Sequence, residues 1–343
     1  IRGLLQKTGV PAEDIEDLIV GCAMPEGEQG LNVARLVGLL AGLPQSVAGA
    51  TVNRFCGSSM QSIHMAAGAI QLGAGEAFLC AGVESMSRIP LGGFNPLPHP
   101  SLAEVSAAYM SMGETAENLA RKYKIGRDRQ EKLAVDSHAR AAAAAASGKF
   151  DGEIVPITSG NQAVDKDGCI RPGTDLKTLA ELKPAFEAKG TVTAGTSSPL
   201  TDGASATLVV TEDYAKAHGL KPLARLKSIA VAGCAPEIMG IGPVLATRKA
   251  LQRAGLAVGD LDVIELNEAF AVQALACMDE LGLDWTRTNI DGGAIALGHP
   301  LGATGARITG KAAEILKRED KQFALSTQCI GGGQGIATIL EAV

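Results

Sequence analysis

The chain has 343 residues, of which 46% are hydrophobic and 3% aromatic, and its formal net charge is −6. That length suits one large core or two ordinary ones, and the mild acidity without a basic block excludes a nucleic-acid surface. No apolar run reaches the roughly 18 residues of a membrane helix, so no membrane span is expected.

In chain order, a helix ending near Gly9 leads to a β-rich run at 18–20, a glycine-framed turn around Cys56, a helix over 59–72 and an apolar strand over 77–81. A long stretch follows, with a Pro/Gly-rich segment at 90–100 and helical runs at 112–123 and 139–146, before a strand at 204–210. The pattern then starts again. A strand at 224–231 precedes a helix ending near Gly255, a strand at 263–266, a second glycine-framed turn around His299, a helix over 305–318 and strands at 323–327 and 336–340. Strand–helix alternation predicts α/β layers with a mainly parallel sheet.

The two passages are repeats in one register. Leu5-Gln6-Lys7-Thr8-Gly9-Val10 runs beside Leu251-Gln252-Arg253-Ala254-Gly255-Leu256, an offset of 246 (255 minus 9). The same offset sets Asp14–Val20 beside Asp260–Leu266, and Phe78-Leu79-Cys80 beside Ala324-Leu325-Ser326. Two halves result, 1–213 and 219–343. They differ in two ways. Val83 pairs with Cys329 and Thr207 with Thr338, yet 124 positions (207 minus 83) separate the first two where 9 (338 minus 329) separate the others. The excess, about 115 residues, is too long for a loop and predicts a small subdomain at about 85–203. The strand at 224–231, moved back by 246, falls before Ile1, so the first half lacks its counterpart. The expectation is an open sheet edge and a poorly stable chain.

Seven cysteines without a C-x-x-C pattern read as reduced thiols of an intracellular protein, with Cys22, Cys80 and Cys277 as small core residues. The five histidines show no paired spacing, so no metal site is expected, and His64, His138 and His218 have no motif around them. No export signal is visible, and the start at Ile1 leaves a targeting segment upstream open. Cys56, His299 and Cys329 differ from the rest, because glycines frame all three: Cys56-Gly57-Ser58, Gly298-His299-Pro300 and Cys329-Ile330-Gly331. A thiolate nucleophile, an imidazole base and a second thiol acting as acid suit acyl transfer. The offset sets Cys56 over Gly302, Asn53 over His299, Asn267 over Gly21 and Cys329 over Val83. Strand ends and helix starts of paired α/β halves cluster at one crevice, which predicts that these residues converge.

Four blocks in order, Asn53-Arg54-Phe55-Cys56-Gly57-Ser58, Asn267-Glu268-Ala269-Phe270, Gly298-His299-Pro300 and Cys329-Ile330-Gly331, resemble the thiolases over essentially the whole chain. The resemblance implies an α/β thiolase-like fold, two pseudo-symmetric halves in αβαβα layers with an inserted loop subdomain, whose first half opens with a central strand missing here. It also implies acyltransferase chemistry: thiolytic cleavage of 3-ketoacyl-CoA by CoA to acetyl-CoA and a shortened acyl-CoA, with CoA a substrate and no cofactor. Cys56 would carry the acyl group, its thiolate favoured at a helix start. His299 would activate Cys56 and then CoA, and Cys329 would move the substrate α-proton. Asn267 would hold a water at the enolate oxygen, and the N–H groups of Cys56 and Gly331 would receive the tetrahedral oxyanion.

The block Thr193–Leu200 resembles the family's pantetheine loop, with Ala194 and the contact residue Ser198; Arg171 would lie at the nucleotide end, and Met112 and Phe270 at the acyl pocket. Many biosynthetic members have histidine before that methionine, where this chain has Ser111, so the degradative 3-ketoacyl branch is the closer match. An acetoacetyl-CoA thiolase and an inactive lipid-binding relative are the alternatives. The family further implies a homodimer or homotetramer, alone or within a β-oxidation complex, placed in the cytoplasm of a bacterium or in the mitochondrion or peroxisome of a eukaryote.

Overall fold

The computed structural model describes residues 1–160 and 162–343. The first half runs α1 (Arg2–Thr8), β1 (Asp17–Gly21), α2 (Val33–Ala41), β2 (Ala48–Val52), α3 (Ser58–Gln71) and β3 (Ala77–Ser85). The insertion holds α4 (Pro100–Val105), α5 (Met112–Tyr123), α6 (Arg127–Ala146), the hairpin β4 (Ile157–Ser159) and β5 (Gln162–Val164), and α7 (Leu176–Ala180). The first half then closes with β6 (Asp202–Val210) and α8 (Glu212–Ala217). The second half is β7 (Arg225–Gly233), α9 (Gly242–Ala254), β8 (Val263–Leu266), α10 (Ala271–Leu281), α11 (Ala294–Leu297), α12 (Leu301–Arg318), β9 (Phe323–Ile330) and β10 (Gln334–Glu341).

The repeat survives in the backbone. Gly9 ends α1 and Gly255 ends α9, both in the left-handed region (φ 69° and 68°) that glycine reaches without penalty. Each is followed by a short 3-10 turn, Ala12–Asp14 and Val258–Asp260, at the same offset. The first sheet has the order β2-β1-β3-β6, with β1 parallel to both β2 and β3 and with β6 antiparallel to β3. The second has the order β8-β9-β10-β7, where β10 is antiparallel to both neighbours. Cys80 faces Thr207 across β3 and β6, and Ser326 faces Thr338 across β9 and β10, so the sequence register is reproduced pair for pair. The counterpart of β2 shrinks in the second half to one bridge, Ile264 to Thr288.

Five layers follow: α1 and α2, the first sheet, the central pair α3 and α12, the second sheet, then α9 and α10. Alternation along the strands builds them. In β1, Leu18 and Val20 join the outer core with Val33 and Leu79, while Ile19 points the other way to Ile63, Ala66 and Ala306 of the central helices. The central helices meet backbone to backbone, since a Cβ on Gly305 would collide with the main chain of Met60.

The structure corrects two expectations. The sheets are mixed and not mainly parallel, because β6, β10 and β7 run antiparallel to their neighbours. The strand lacking in the first half corresponds to β7, which lies at the rim of its sheet and not at its centre. The outer edge of β6 therefore has no partner among the described residues, and a groove of about 2100 Å³ runs beside it, lined by Ala206, Leu208, Ile63, Ile70, Leu226 and Ile229.

Candidate active site

Cys56 sits in a tight turn between β2 and α3, where Phe55 takes φ 43°. The turn is held from within. Asn53 Oδ1 accepts from the Phe55 N–H (2.8 Å), Arg54 O accepts from the Gly57 N–H (2.9 Å), and Ser58 Oγ donates to Phe55 O (2.6 Å). Asn53 Nδ2 also donates to Ala23 O (2.9 Å), which ties the turn to the loop after β1. Cys56 packs there among Ala23, Met24, Met86 and Leu301. Leu301 comes from the second half.

His299 lies in the matching turn of that half, after Gly298 at φ 90°. α12 begins at Leu301, four residues earlier than the sequence pattern indicated, because Gly302 and Gly305 disguised a first turn that packs against backbone. That turn supplies Thr304, whose Oγ1 lies 2.6 Å from His299 Nδ1 and donates to Pro300 O (3.1 Å). With its own hydrogen engaged, Thr304 accepts from Nδ1–H and leaves the lone pair of the imidazole on Nε2. Asn267, in the turn after β8, places Nδ2 3.4 Å from that Nε2, and its buried Oδ1 has no hydrogen-bond partner among the described residues. The His299 N–H donates to Thr201 Oγ1 (3.0 Å).

Cys329 is the seventh residue of β9 and is wholly buried. Past the strand end, the Gly331 N–H is directed at the Cys56 sulfur. Gln328 Nε2 donates to Cys56 O, so the second half also grips the nucleophile's main chain.

Burial governs the charges. It pushes the Cys56 thiol up to about 12, against a smaller lowering by the Gly331 N–H. The helix-start effect expected from sequence is therefore outweighed by desolvation of the buried sulfur. Cys329 is raised well above its ordinary value by burial and then by Cys56. His299 is lowered to about 3, by burial first and by Arg307 second. At neutral pH the site holds two thiols and a neutral imidazole, which is an acceptor waiting for a proton.

Among the expected CoA contacts, Ser198 is brought to the site: its N–H (3.0 Å) and Oγ–H (3.1 Å) both donate to Ala269 O, beside Asn267. Phe270 is buried, stacked edge-on against Phe186 (5.8 Å between centroids). Met112 is half-buried at the start of α5 against the same core cluster. Ala194 and Arg171 are exposed, and the Arg171 N–H donates to His138 Nδ1 (3.1 Å). Ser111 caps α5 in a reciprocal pair with Glu114, with a 2.7 Å contact from Ser111 Oγ to Glu114 Oε2. His64 and His218 serve structure: His64 Nε2 meets Thr338 Oγ1 at 2.8 Å, and His218 stacks on Tyr214.

The model of the thiolase N-terminal domain matches residues 1–213, and that of the thiolase C-terminal domain matches residues 220–342. The chain belongs to the thiolase family. A 3-ketoacyl-CoA thiolase of Vibrio cholerae serotype O1 is 51% identical over 99% of this chain and 91% of its own length. One from Bacillus subtilis is 47% identical over 99% of this chain and 91% of its own. The crystal structure of human mitochondrial 3-ketoacyl-CoA thiolase superposes with a TM-score of 0.92 at 41% identity, covering 100% of this chain and 91% of that one. The same human enzyme in complex with CoA gives 0.92 at 40%, covering 100% and 90%. The thiolase fold expected from the motifs is thus the fold observed.

Three residues at this thiolase site escaped the sequence reading: Thr304, Gln328 and Glu84. The available signal was polarity out of place. Gln328 interrupts an apolar strand, and Glu84 is a carboxylate near the end of another, 2% exposed.

Proposed function

We propose that this chain catalyses the thiolytic cleavage of 3-ketoacyl-CoA by CoA through an acyl-Cys56 intermediate. What supports the reading is Cys56 with the Gly331 N–H and Cys329 as neighbours, and His299 held between Thr304 and Asn267, with Leu301, two residues after His299, packed against Cys56.

Each residue has one job in turn. His299 Nε2 takes the Cys56 thiol proton, and the thiolate attacks the 3-keto carbon. The N–H groups of Gly331 and Cys56 receive the oxyanion, which offsets the cost of developing negative charge in this buried site. Collapse breaks the C2–C3 bond and leaves the acetyl-CoA enolate, whose oxygen is met by His299 and by a water on Asn267. Cys329 gives its proton to C2, and acetyl-CoA departs. The imidazolium returns its proton to Cys329 and, neutral again, takes the proton of incoming CoA. The CoA thiolate attacks the acyl-cysteine, Cys56 leaves as thiolate, and His299 reprotonates it. Ser198 and Ala194 line the pantetheine path, with Arg171 at its nucleotide end and Met112 and Phe270 towards the acyl chain.

The resemblance supports the longer substrates at position 111: many biosynthetic members carry histidine there, and this chain carries Ser111, whose hydroxyl is engaged by Glu114. The test is thiolysis of acetoacetyl-CoA against a longer 3-ketoacyl-CoA, with mass spectrometry of the quenched enzyme. Turnover of both and an acyl adduct on Cys56 are expected. Activity on the short substrate alone would favour the acetoacetyl-CoA reading, and no adduct on Cys56 would remove the nucleophile assignment.

A further inference from the structure

Glu84 is the penultimate residue of β3 and is almost wholly buried, yet no cation lies against it among the described ion pairs. Its carboxylate gathers N–H donors from both halves. Oε2 accepts from the Ala23 N–H (2.8 Å) and from the Gly302 N–H (2.8 Å). Oε1 accepts from the Met24 N–H (3.2 Å) and from Gln29 Nε2, and Gln29 Oε1 in turn accepts from the Ser85 N–H (2.9 Å). With the Cys22 thiol, which donates to Oε1 (3.8 Å), five donors surround one side chain; they call for a group that only accepts, and an amide at this place would turn a donor towards donors. The equivalent position in the second half (84 plus 246) is Ile330, so the repeat alone does not require a carboxylate.

What the carboxylate joins is specific. Ala23 and Met24 form the wall behind Cys56, and Ala23 O accepts from Asn53 in the nucleophile's own turn. Gly302 is in the first turn of α12, two residues before Thr304, which orients His299. A single side chain thus spans the support of the nucleophile and the support of the base, and the first helical turn of α12 receives its negative charge where a helix N-terminus favours one.

We propose that Glu84 is a positioning residue that sets His299 against Cys56 across the junction of the two halves. The assignment rests on the roles given above to those two residues. Its electrostatic effect alone runs the other way. The Glu84 charge is one of the influences raising the Cys56 thiol, so removing only the charge would make Cys56 more reactive. Loss of position makes it less reactive, and the sign separates the two.

The test is the rate of Cys56 alkylation by iodoacetamide, followed by peptide mass spectrometry, in the wild type, Glu84→Gln, His299→Ala and the double variant. This readout needs no acyl substrate. The expectation is that Glu84→Gln slows alkylation about tenfold when His299 is present and about twofold or less when it is absent, because misplacement matters only while there is a base to misplace. An unchanged or faster rate in Glu84→Gln overturns the proposal, as does the same loss in both backgrounds, which marks a merely structural role. If Glu84→Gln fails to melt cooperatively, Glu84→Asp, which keeps the charge on a shorter arm, is read by the same criteria. If His299→Ala alone leaves alkylation untouched, the role of His299 fails and the Glu84 assignment falls with it. Loss of thiolysis in the wild type would instead count against the proposed reaction alone.

Discussion

The Cys56 turn and the His299 turn hold equivalent places in the two halves, and each reactive side chain immediately precedes the N-cap of a central helix, Gly57 for α3 and Pro300 for α12. The sequence register nevertheless sets Cys56 over Gly302 and Asn53 over His299, three residues apart from this structural match. The difference is nearly one helical turn, Leu301 to Ala303, present at the head of α12 and absent from α3. In the first half those positions form the nucleophile's turn; in the second they form a helix that displays the base and offers Gly302 to Glu84. One ancestral pattern can therefore give two chemistries by moving a helix boundary, without altering the sheet beneath.

The comparison breaks most sharply on the reactive side chains. Cys56→Ala is expected to lower thiolysis by roughly 10⁴-fold or more while CoA binding, read by calorimetry, persists. His299→Ala removes the activator but leaves the nucleophile, so a smaller loss, roughly a thousandfold, is expected in kcat. Equal losses in the two variants would erase the distinction between the turns.

The sheet edges come next. In the chain of residues 1–343, amides of β6 are expected to exchange with deuterium faster than those of β10, by roughly tenfold or more, because β10 is paired on both sides and β6 on one. Matched protection of residues 202–210 and 334–341 would contradict the open edge. A cooperative melt at high temperature would contradict the expected poor stability.

The smallest effect concerns His64, which joins α3 to Thr338 of β10 and is held neutral by burial at about 3, as His299 is. Its value in the unfolded chain is about 6.5. Between these limits the unfolded state binds the extra proton, so stability is full above pH ~6.5 and falls as the pH is lowered towards ~3, by at most about 1.4 kcal/mol per pH unit for each such histidine. Urea midpoints for His64→Gln should show a shallower fall across that window; a slope equal to that of the wild type would show that His64 does not carry its share.

Much of this was legible from residues alone. The repeat set Cys80 over Ser326 and Thr207 over Thr338, equivalences that the strand pairing keeps, and glycines at 9 and 255 marked two helix ends, because period and cap chemistry are local. The catalytic set was legible as motifs. The residues that lock the set together were not. Glu84 and Gln328 act through main-chain groups contributed by distant segments, and nothing in their own neighbourhoods reveals which; Thr304 acts on His299 five residues away, but only once α12 is known to begin at Leu301. The direction of the Cys56 shift escaped for a related reason: a helix start can be read from sequence, whereas the extent of desolvation appears only when Met24, Met86 and Leu301 close around the sulfur.

The cap of α5 has a bearing on redesign. Ser111 and Glu114 satisfy each other and the helix start at the position where the resemblance puts the histidine of many biosynthetic members. Installing histidine there to shift the enzyme towards short substrates would also release Glu114 and unfasten the end of the helix that presents Met112. Any substitution at 111 is thereby also a substitution in the cap of α5, and a redesign at 111 calls for a compensating change at 114.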